Sequence, residues 1–335
     1  MKNLTIRQLR YFDALARHGH FGRAAEACSV SQPALSMQIK ELEEGLGAPL
    51  FERGVRHVSL TGFGERFGAR ARAILRSIDE LEDLARAAQG SLSGRLRLGV
   101  IPTVAPYLLP RIVADLTAAS AALDIHVRET VTPKLMEELS EGRLDAAIVA
   151  LPVSESAFEE APLFSEEFLL VRPVSEAGKP APGPAALREM RLLLLEEGHC
   201  FRDQALAFCA MKPAPPRELL DGSSLSTLVQ MVGAGIGVTL IPDMAAAVET
   251  RSAAVAVTRF AEPRPRRTIG MIWRRTSPLA GQLQEVAGIV RGAAEAMRGE
   301  GEGPRFVQGD TYSGTNIACP ESVFAVIGSP TLPTT

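Results

Sequence analysis

From Phe67 to Gln89 the chain has no proline and a single glycine, and its apolar residues Phe67, Ala71, Ile74, Ile78, Leu81, Ala85 and Ala88 fall at alternating spacings of four and three. That is a heptad seam over about three repeats, and it requires one helix with a narrow apolar edge flanked by Arg, Glu and Asp. An edge of this kind suits pairing with a second helix better than packing on its own domain. Gly90-Ser91-Leu92-Ser93-Gly94 then breaks the helix as a hinge. The seam divides the chain, because the patterns on its two sides belong to different kinds of domain.

The 335 residues allow two or three packed domains. We divide them into a small helical domain over 1–66, the linker helix and hinge over 67–93, an α/β domain over 94–300 and a tail over 301–335. Beyond Arg95 the rhythm becomes strand, helix, strand through RLRLGVI, VAPYLLPRIVADLTAA, LDIHVRETV, KLMEELSEG and DAAIVAL. It repeats through FLLVRPV, LREMRLLLLEE, LSTLVQMVGAG, IGVTLIP and TIGMIWRR to a final helix near Pro278 to Met297. This predicts a largely parallel sheet in two sub-domains with a cleft between them, and an α+β multidomain chain as a whole. The Gly-, Pro- and Ser-rich tail is expected to be flexible, with Phe324 to Ile327 as a possible docking strand.

No run of eighteen uncharged apolar residues occurs, and the start lacks the apolar core of a secretory signal, so membrane insertion and export are not expected. Four cysteines, Cys28, Cys200, Cys209 and Cys319, are too few for a disulfide scaffold, which points to a reducing cytoplasm. A net charge of -3 excludes a generally basic coat, so any contact with nucleic acid must be concentrated in one module.

That module is visible near the start. Phe21, Ala24, Ala25 and Cys28 share one helical face, and a short turn leads to SQPALSMQIKELE. Two helices with a tight turn form a candidate helix-turn-helix. Ser31 is placed to cap the second helix, Pro33 sits in its first turn, and Leu35, Ile39 and Leu42 supply one buried stripe. The other face carries Gln32, Ala34, Ser36, Gln38 and Lys40, short and polar side chains suited to base edges and phosphates. Arg53 and Arg56 flank a short Val55 to Leu60 strand, expected as a wing on the DNA backbone or minor groove. Cys28 reads as a small core hydrophobe.

A second feature is the pair Cys200 and Cys209 in GHCFRDQALAFC. His199 and Arg202 place potential positive charge and donors beside Cys200, which would enrich its reactive thiolate, and Asp203 is placed either to orient one of them or as a charge on the helix surface. Cys209 lies in ALAFCAM, an apolar setting that raises its pKa and hides it. If the segment is helical, nine residues put the two side chains on opposite faces and about 13.5 Å apart along the axis. Disulfide formation needs Cα atoms within about 7 Å, so closing this pair requires unwinding. Thr103 and Thr132, each just after a predicted strand, read as helix N-caps. There is no metal-ligand spacing such as CxxC or HExxH and no GxGxxG or Walker loop, so no cofactor is expected.

The run from Phe21 to Gly64 resembles, nearly position by position, the winged helix-turn-helix of LysR-type transcriptional regulators, and the likeness extends over roughly residues 4–300. It implies a recognition helix at Gln32 to Glu43, a linker-helix dimer often assembled as a tetramer, and an effector domain resembling a type 2 periplasmic binding protein. Double-stranded DNA, a second copy and RNA polymerase are the implied partners. Within the family, GHCFRDQALAFC, GVIPTVAPYLLP and PRRTIGMIWR resemble a hydrogen peroxide-sensing activator. That resemblance makes Cys200 the peroxide-reactive thiol and Cys209 the resolving thiol, and implies reset by a thiol reductant. It also places Thr103, Thr132, His199, Asp203 and Arg267 at the peroxide site. Two alternatives stand beside it: a regulator holding a small organic effector in the cleft, and a thiol peroxidase. The tail and Cys319 depart from the family pattern.

Overall fold

The computed structural model describes residues 4–54, 57–88, 92–209 and 221–300. The tail, with Cys319 and the segment Phe324 to Ile327, and Val55 and Arg56 of the wing lie outside them.

Helices α1 (Ile6–His18), α2 (Phe21–Ala27) and α3 (Gln32–Leu46) close on one core of Leu9, Phe12, Leu15, Ala24, Ala25, Leu35, Ile39 and Leu42. Local sequence sets their ends. Thr5 and Gln8 form a reciprocal capping box on α1, and the Ser31 hydroxyl accepts from the Ala34 amide at the start of α3. Strands β1 (Phe51–Arg53) and β2 (Val58–Leu60) form an antiparallel hairpin with Arg53 opposite Val58.

Helix α4 (Gly62–Ala87) begins five residues before the expected start at Phe67. Gly64 in its first turn serves packing. The Thr61 hydroxyl accepts from the Gly64 amide at 2.8 Å, and a side chain at Gly64 would meet the Leu50 carbonyl oxygen at 2.1 Å. The first turns of α4 therefore pack on the small domain through Phe67 and Ala71. Further along, Ile74 (46% exposed), Leu81 (68%), Ala85 and Ala88 leave the later part of the seam uncovered, with Leu84 exposed beside it.

The following region contains, in order, β3 (Gly94–Val100), α5 (Ala105–Ala119), β4 (Leu123–Glu129), α6 (Thr132–Ser140), β5 (Ala146–Leu151) and β6 (Phe158–Pro173). After these come α7 (Pro184–Arg188), β7 (Leu192–Leu195), α8 (Cys200–Phe208), β8 (Asp221–Gly222), α9 (Leu225–Gly233) and β9 (Val238–Pro242). The region closes with α10 (Asp243–Glu249), β10 (Val255–Arg259), β11 (Arg266–Arg274) and α11 (Ala280–Glu300). The strand order is β4-β3-β5-β11-β6-β9-β7-β8, with β10 also on β6.

The sheet is mixed rather than largely parallel. β3 runs parallel to β4 and β5, and β7 to β8 and β9, but β11 and β6 between them are antiparallel to their neighbours. FLLVRPV, apart from Val174, is only the end of β6, which carries Glu159, Glu160, Glu166 and Glu167 before it. That acidity masked the strand, yet the carboxylates are satisfied: Glu160 accepts from the Val153 amide, and Glu167 from Arg259, Arg264 and Arg266. β6 thereby serves two cores. One contains Leu98, Ile112, Ile148, Trp273 and Val290; the other contains Leu170, Leu193, Phe201, Val229 and Leu240.

Candidate functional site

Three loops at the carboxyl ends of β3, β4 and β7 converge on a small recess lined by Ile101, Pro102, Thr103, Val131, Thr132, His199 and Cys200. Carboxyl ends of parallel strands are the usual ligand side of such sheets. The recess is tight, with about 160 Å3 of empty space, part of it open to solvent. Cys200 occupies the first position of α8, and its side chain is half-buried at the recess.

The expected capping roles of the two threonines are not seen. Val104 and Val131 hold the N-cap positions of α5 and α6, and neither helix has a side-chain cap. Thr103 is 2% exposed, and its Oγ1 accepts from Arg267 Nη1 at 2.8 Å while its carbonyl accepts from Nη2 at 3.1 Å. With one hydroxyl lone pair taken by Arg267, the Thr103 O–H remains a donor for the recess. Arg267 is fixed in turn by Glu166, which accepts from its Nε at 2.8 Å, and its guanidinium lies 5.1 Å from the centre of the Phe201 ring. The buried Oγ1 of Thr132 has no hydrogen-bond partner among the described residues. A buried hydroxyl left unpaired costs about 1–3 kcal/mol, which makes it a marker of function rather than of stability.

His199 is 9% exposed, and burial pulls its pKa below the usual histidine value, opposed by Glu196. Burial, invisible in the local sequence, thus favours the neutral imidazole over the charged one that could stand beside Cys200. Arg202 also differs from expectation. It does not line the recess, and its Nη1 donates to the Leu195 carbonyl at 2.7 Å, fastening α8 to β7. Asp203 is exposed in the first turn of α8, away from the recess lining. Glu166, in the acidic stretch of β6, is absent from the sequence-based expectations and fixes Arg267. Gln204, one turn after Cys200, has a buried Oε1 without a partner among the described residues but is not among the residues lining the recess.

Cys209 ends α8 at its C-cap, fully buried in the second core, and burial raises its thiol pKa against the lowering influence of Arg188. Cys200 packs against the first core instead. The helix predicted between them is present, so the two thiols face different ways and contact different cores. Both are free.

On α3, Gln32, Pro33, Met37 and Lys40 are exposed, with Ser36 half-buried among them. Ala34 and Gln38 are half-buried beside the packed stripe, and Gln38 Nε2 donates to Glu41 at 2.9 Å. Met37, 55% exposed, was passed over because the expected face was polar; it offers an apolar surface of the kind that suits a thymine methyl. Lys40 stands 3.7 Å from Glu44.

Comparison with known proteins places these features in one family. Residues 6–65 match the bacterial regulatory helix-turn-helix proteins of the lysR family, and residues 89–295 match the LysR substrate binding domain. A probable hydrogen peroxide-inducible genes activator of Streptomyces viridosporus is 44% identical over 88% of this chain and 95% of its own length. A full-length cysteine-to-aspartate variant of OxyR from Pseudomonas aeruginosa superposes with a TM-score of 0.68 at 36% identity, covering 87% of this chain and 96% of that one. A cysteine-to-serine variant of OxyR from Corynebacterium glutamicum with hydrogen peroxide bound gives 0.61 at 34% identity, covering 90% and 96%. The chain belongs to the LysR family of bacterial helix-turn-helix transcription regulators, with the DNA-binding and substrate-binding domains of that family in the same order.

Proposed function

We propose that this chain is a DNA-binding transcriptional activator switched by hydrogen peroxide at Cys200. The observation that carries this reading is the unpartnered Thr132 hydroxyl, buried in the same recess as Cys200 and the Arg267-fixed Thr103. Relatives named as peroxide-inducible activators, and a peroxide-bound structural neighbour, support the same choice. Three groups that donate or accept, and no charged substrate clamp, suit a small neutral molecule better than an organic acid.

In the proposed chemistry the Cys200 thiolate attacks one peroxide oxygen and the O–O bond breaks. Sulfur is oxidised to a sulfenic acid, and peroxide is reduced to hydroxide, which takes up a proton to leave as water. The hydroxyls of Thr103 and Thr132, with His199, hydrogen-bond the departing oxygen. The Cys209 thiol then attacks the sulfenic sulfur, releasing a second water and forming a disulfide that a thiol reductant reverses. Because α8 keeps the thiols apart, this second step requires that helix to unwind, and oxidation becomes a change of shape. The exposed Ile74–Leu81–Ala85 edge of α4 pairs with a second copy, and α3 reads the major groove, with Arg53 and Arg56 on the backbone.

Two outcomes follow. Thr132→Val keeps the shape and removes the orphan hydroxyl, so the reduced protein should melt no lower than wild type while Cys200 oxidation slows by about 10²-fold. Stopped-flow thiol oxidation beside thermal melts checks both halves, and an unchanged rate removes Thr132 from the site. Replacing Arg53 and Arg56 together by alanine should flatten the slope of log affinity against log salt by about 2 per protomer, measured on a duplex selected by the wild-type chain from a random library. An unaltered slope would discredit the wing.

A further inference from the structure

The linker helix carries a second stripe that the dimer seam does not use. Arg76, Asp79, Glu80, Asp83 and Ala87 lie on one face of α4, about 160° round the helix from Ile74, Leu81 and Ala85. This face lies against the loop between α6 and β5. Arg76 donates to the Ser140 carbonyl, and its side chain would be 3.0 Å from any Cβ at Gly142, whose φ of +74° already excludes other residues. Asp83 is 2% exposed, and Ala87 packs against the first core.

Two further arginines hold the same loop from the domain side. Arg97 of β3 makes a two-pronged pair with the buried Asp145 and donates to the Gly142 carbonyl at 2.9 Å. Arg274 of β11 donates to the carbonyls of Leu139 at 2.7 Å and Leu144 at 3.0 Å. Asp145 alone cannot balance Arg97 and Arg274. Burial pulls the Arg274 guanidinium down, while Asp145, Glu80 and Asp83 favour its charge. Arg97 is raised overall, with burial opposed by Asp145, Asp83 and Asp79. Carboxylates of the linker helix thus act, beside Asp145, on the two arginines that hold this loop.

These arginines sit on the strands that serve the recess. β3 carries Arg97 and leads into Thr103, and β11 has Arg267 near one end and Arg274 at the other. We infer that the Arg76–Asp83 face of α4, docked on the Leu139–Asp145 loop, couples the Cys200 recess to the opposite, seam-bearing face of the linker helix and so to DNA affinity. The inference rests on the redox-regulator reading above. It requires two-state behaviour of the dock, in which a recess displacement carried by β3 or β11 alters the grip on α4.

The test uses the full chain as wild type, Asp83→Asn and Arg76→Met. For each we would measure affinity for a library-selected duplex in the reduced and peroxide-oxidised states, together with the rate of Cys200 oxidation. The dock predicts that both variants oxidise within about twofold of the wild-type rate, while the oxidised-to-reduced affinity ratio moves toward one by about fivefold or more. Arg76→Met removes a rim donor and no buried charge, so it decides the matter even if Asp83→Asn fails to fold. Variants that keep the wild-type ratio, or lose it only with the oxidation rate, overturn the dock while leaving the sensor reading intact. A wild-type chain whose affinity ignores oxidation of Cys200 overturns the sensor reading and the dock together.

Discussion

Cys200→Ser should abolish the response to peroxide while leaving DNA binding in place. Serine keeps the size of the side chain and the start of α8, so the three-helix core and its reading face, built from other residues, are untouched. What disappears is the oxidisable sulfur at the recess. Cys209 cannot replace it, because it is fully buried and burial raises its thiol pKa, leaving little thiolate to attack peroxide. Peroxide-dependent change in DNA affinity should fall to background, with the reduced-state affinity within about twofold of wild type. A Cys200→Ser chain that still changes its affinity with peroxide would move the sensor to another residue.

Arg267→Met should produce the largest loss of stability among the site variants. The guanidinium is fully buried, and its removal leaves the Glu166 carboxylate, among the described residues, with the Met244 amide at 3.2 Å. Breaking a buried ion pair from one side costs about 3–5 kcal/mol, equivalent to about 6–20 °C in melting temperature for a domain of this size. The same change frees Thr103, so Cys200 oxidation should slow as well. Adding Glu166→Leu separates the two effects: stability should recover most of the loss, since an apolar pair can replace an ionic one, while oxidation stays slow. Recovery of both would make Arg267 purely structural, and recovery of neither would point to wider damage.

Both expectations draw on features that the sequence showed unequally. The three-helix module was legible because caps and periodicity agree: Ser31, Pro33 and the stripe Leu35, Ile39, Leu42 do locally what they do in the fold. The helix between the cysteines entered only as a condition, since α8 has no side-chain cap to announce it, and the separation of the thiols depended on it. The central antiparallel strands were less visible, since the acidic stretch of β6 hides a strand whose carboxylates are paired by residues up to about a hundred positions away. His199 lines the recess as the sequence suggests, but burial lowers its pKa, and Arg202 is held by the Leu195 carbonyl seven residues back rather than lining the recess. Thr103 and Thr132 looked like caps in sequence, and the valines that hold those positions without a side-chain bond leave the hydroxyls for the recess.

The central claim is that peroxide oxidises Cys200 and that α8 then unwinds to let Cys209 capture the product. Non-reducing peptide mapping by mass spectrometry, on reduced full-length protein treated with one equivalent of hydrogen peroxide, tests it most directly. The account predicts one new linked peptide joining Cys200 to Cys209, lost again on adding a thiol reductant. Both thiols remaining free after treatment, or Cys200 joined to Cys28 or Cys319 instead, would contradict it.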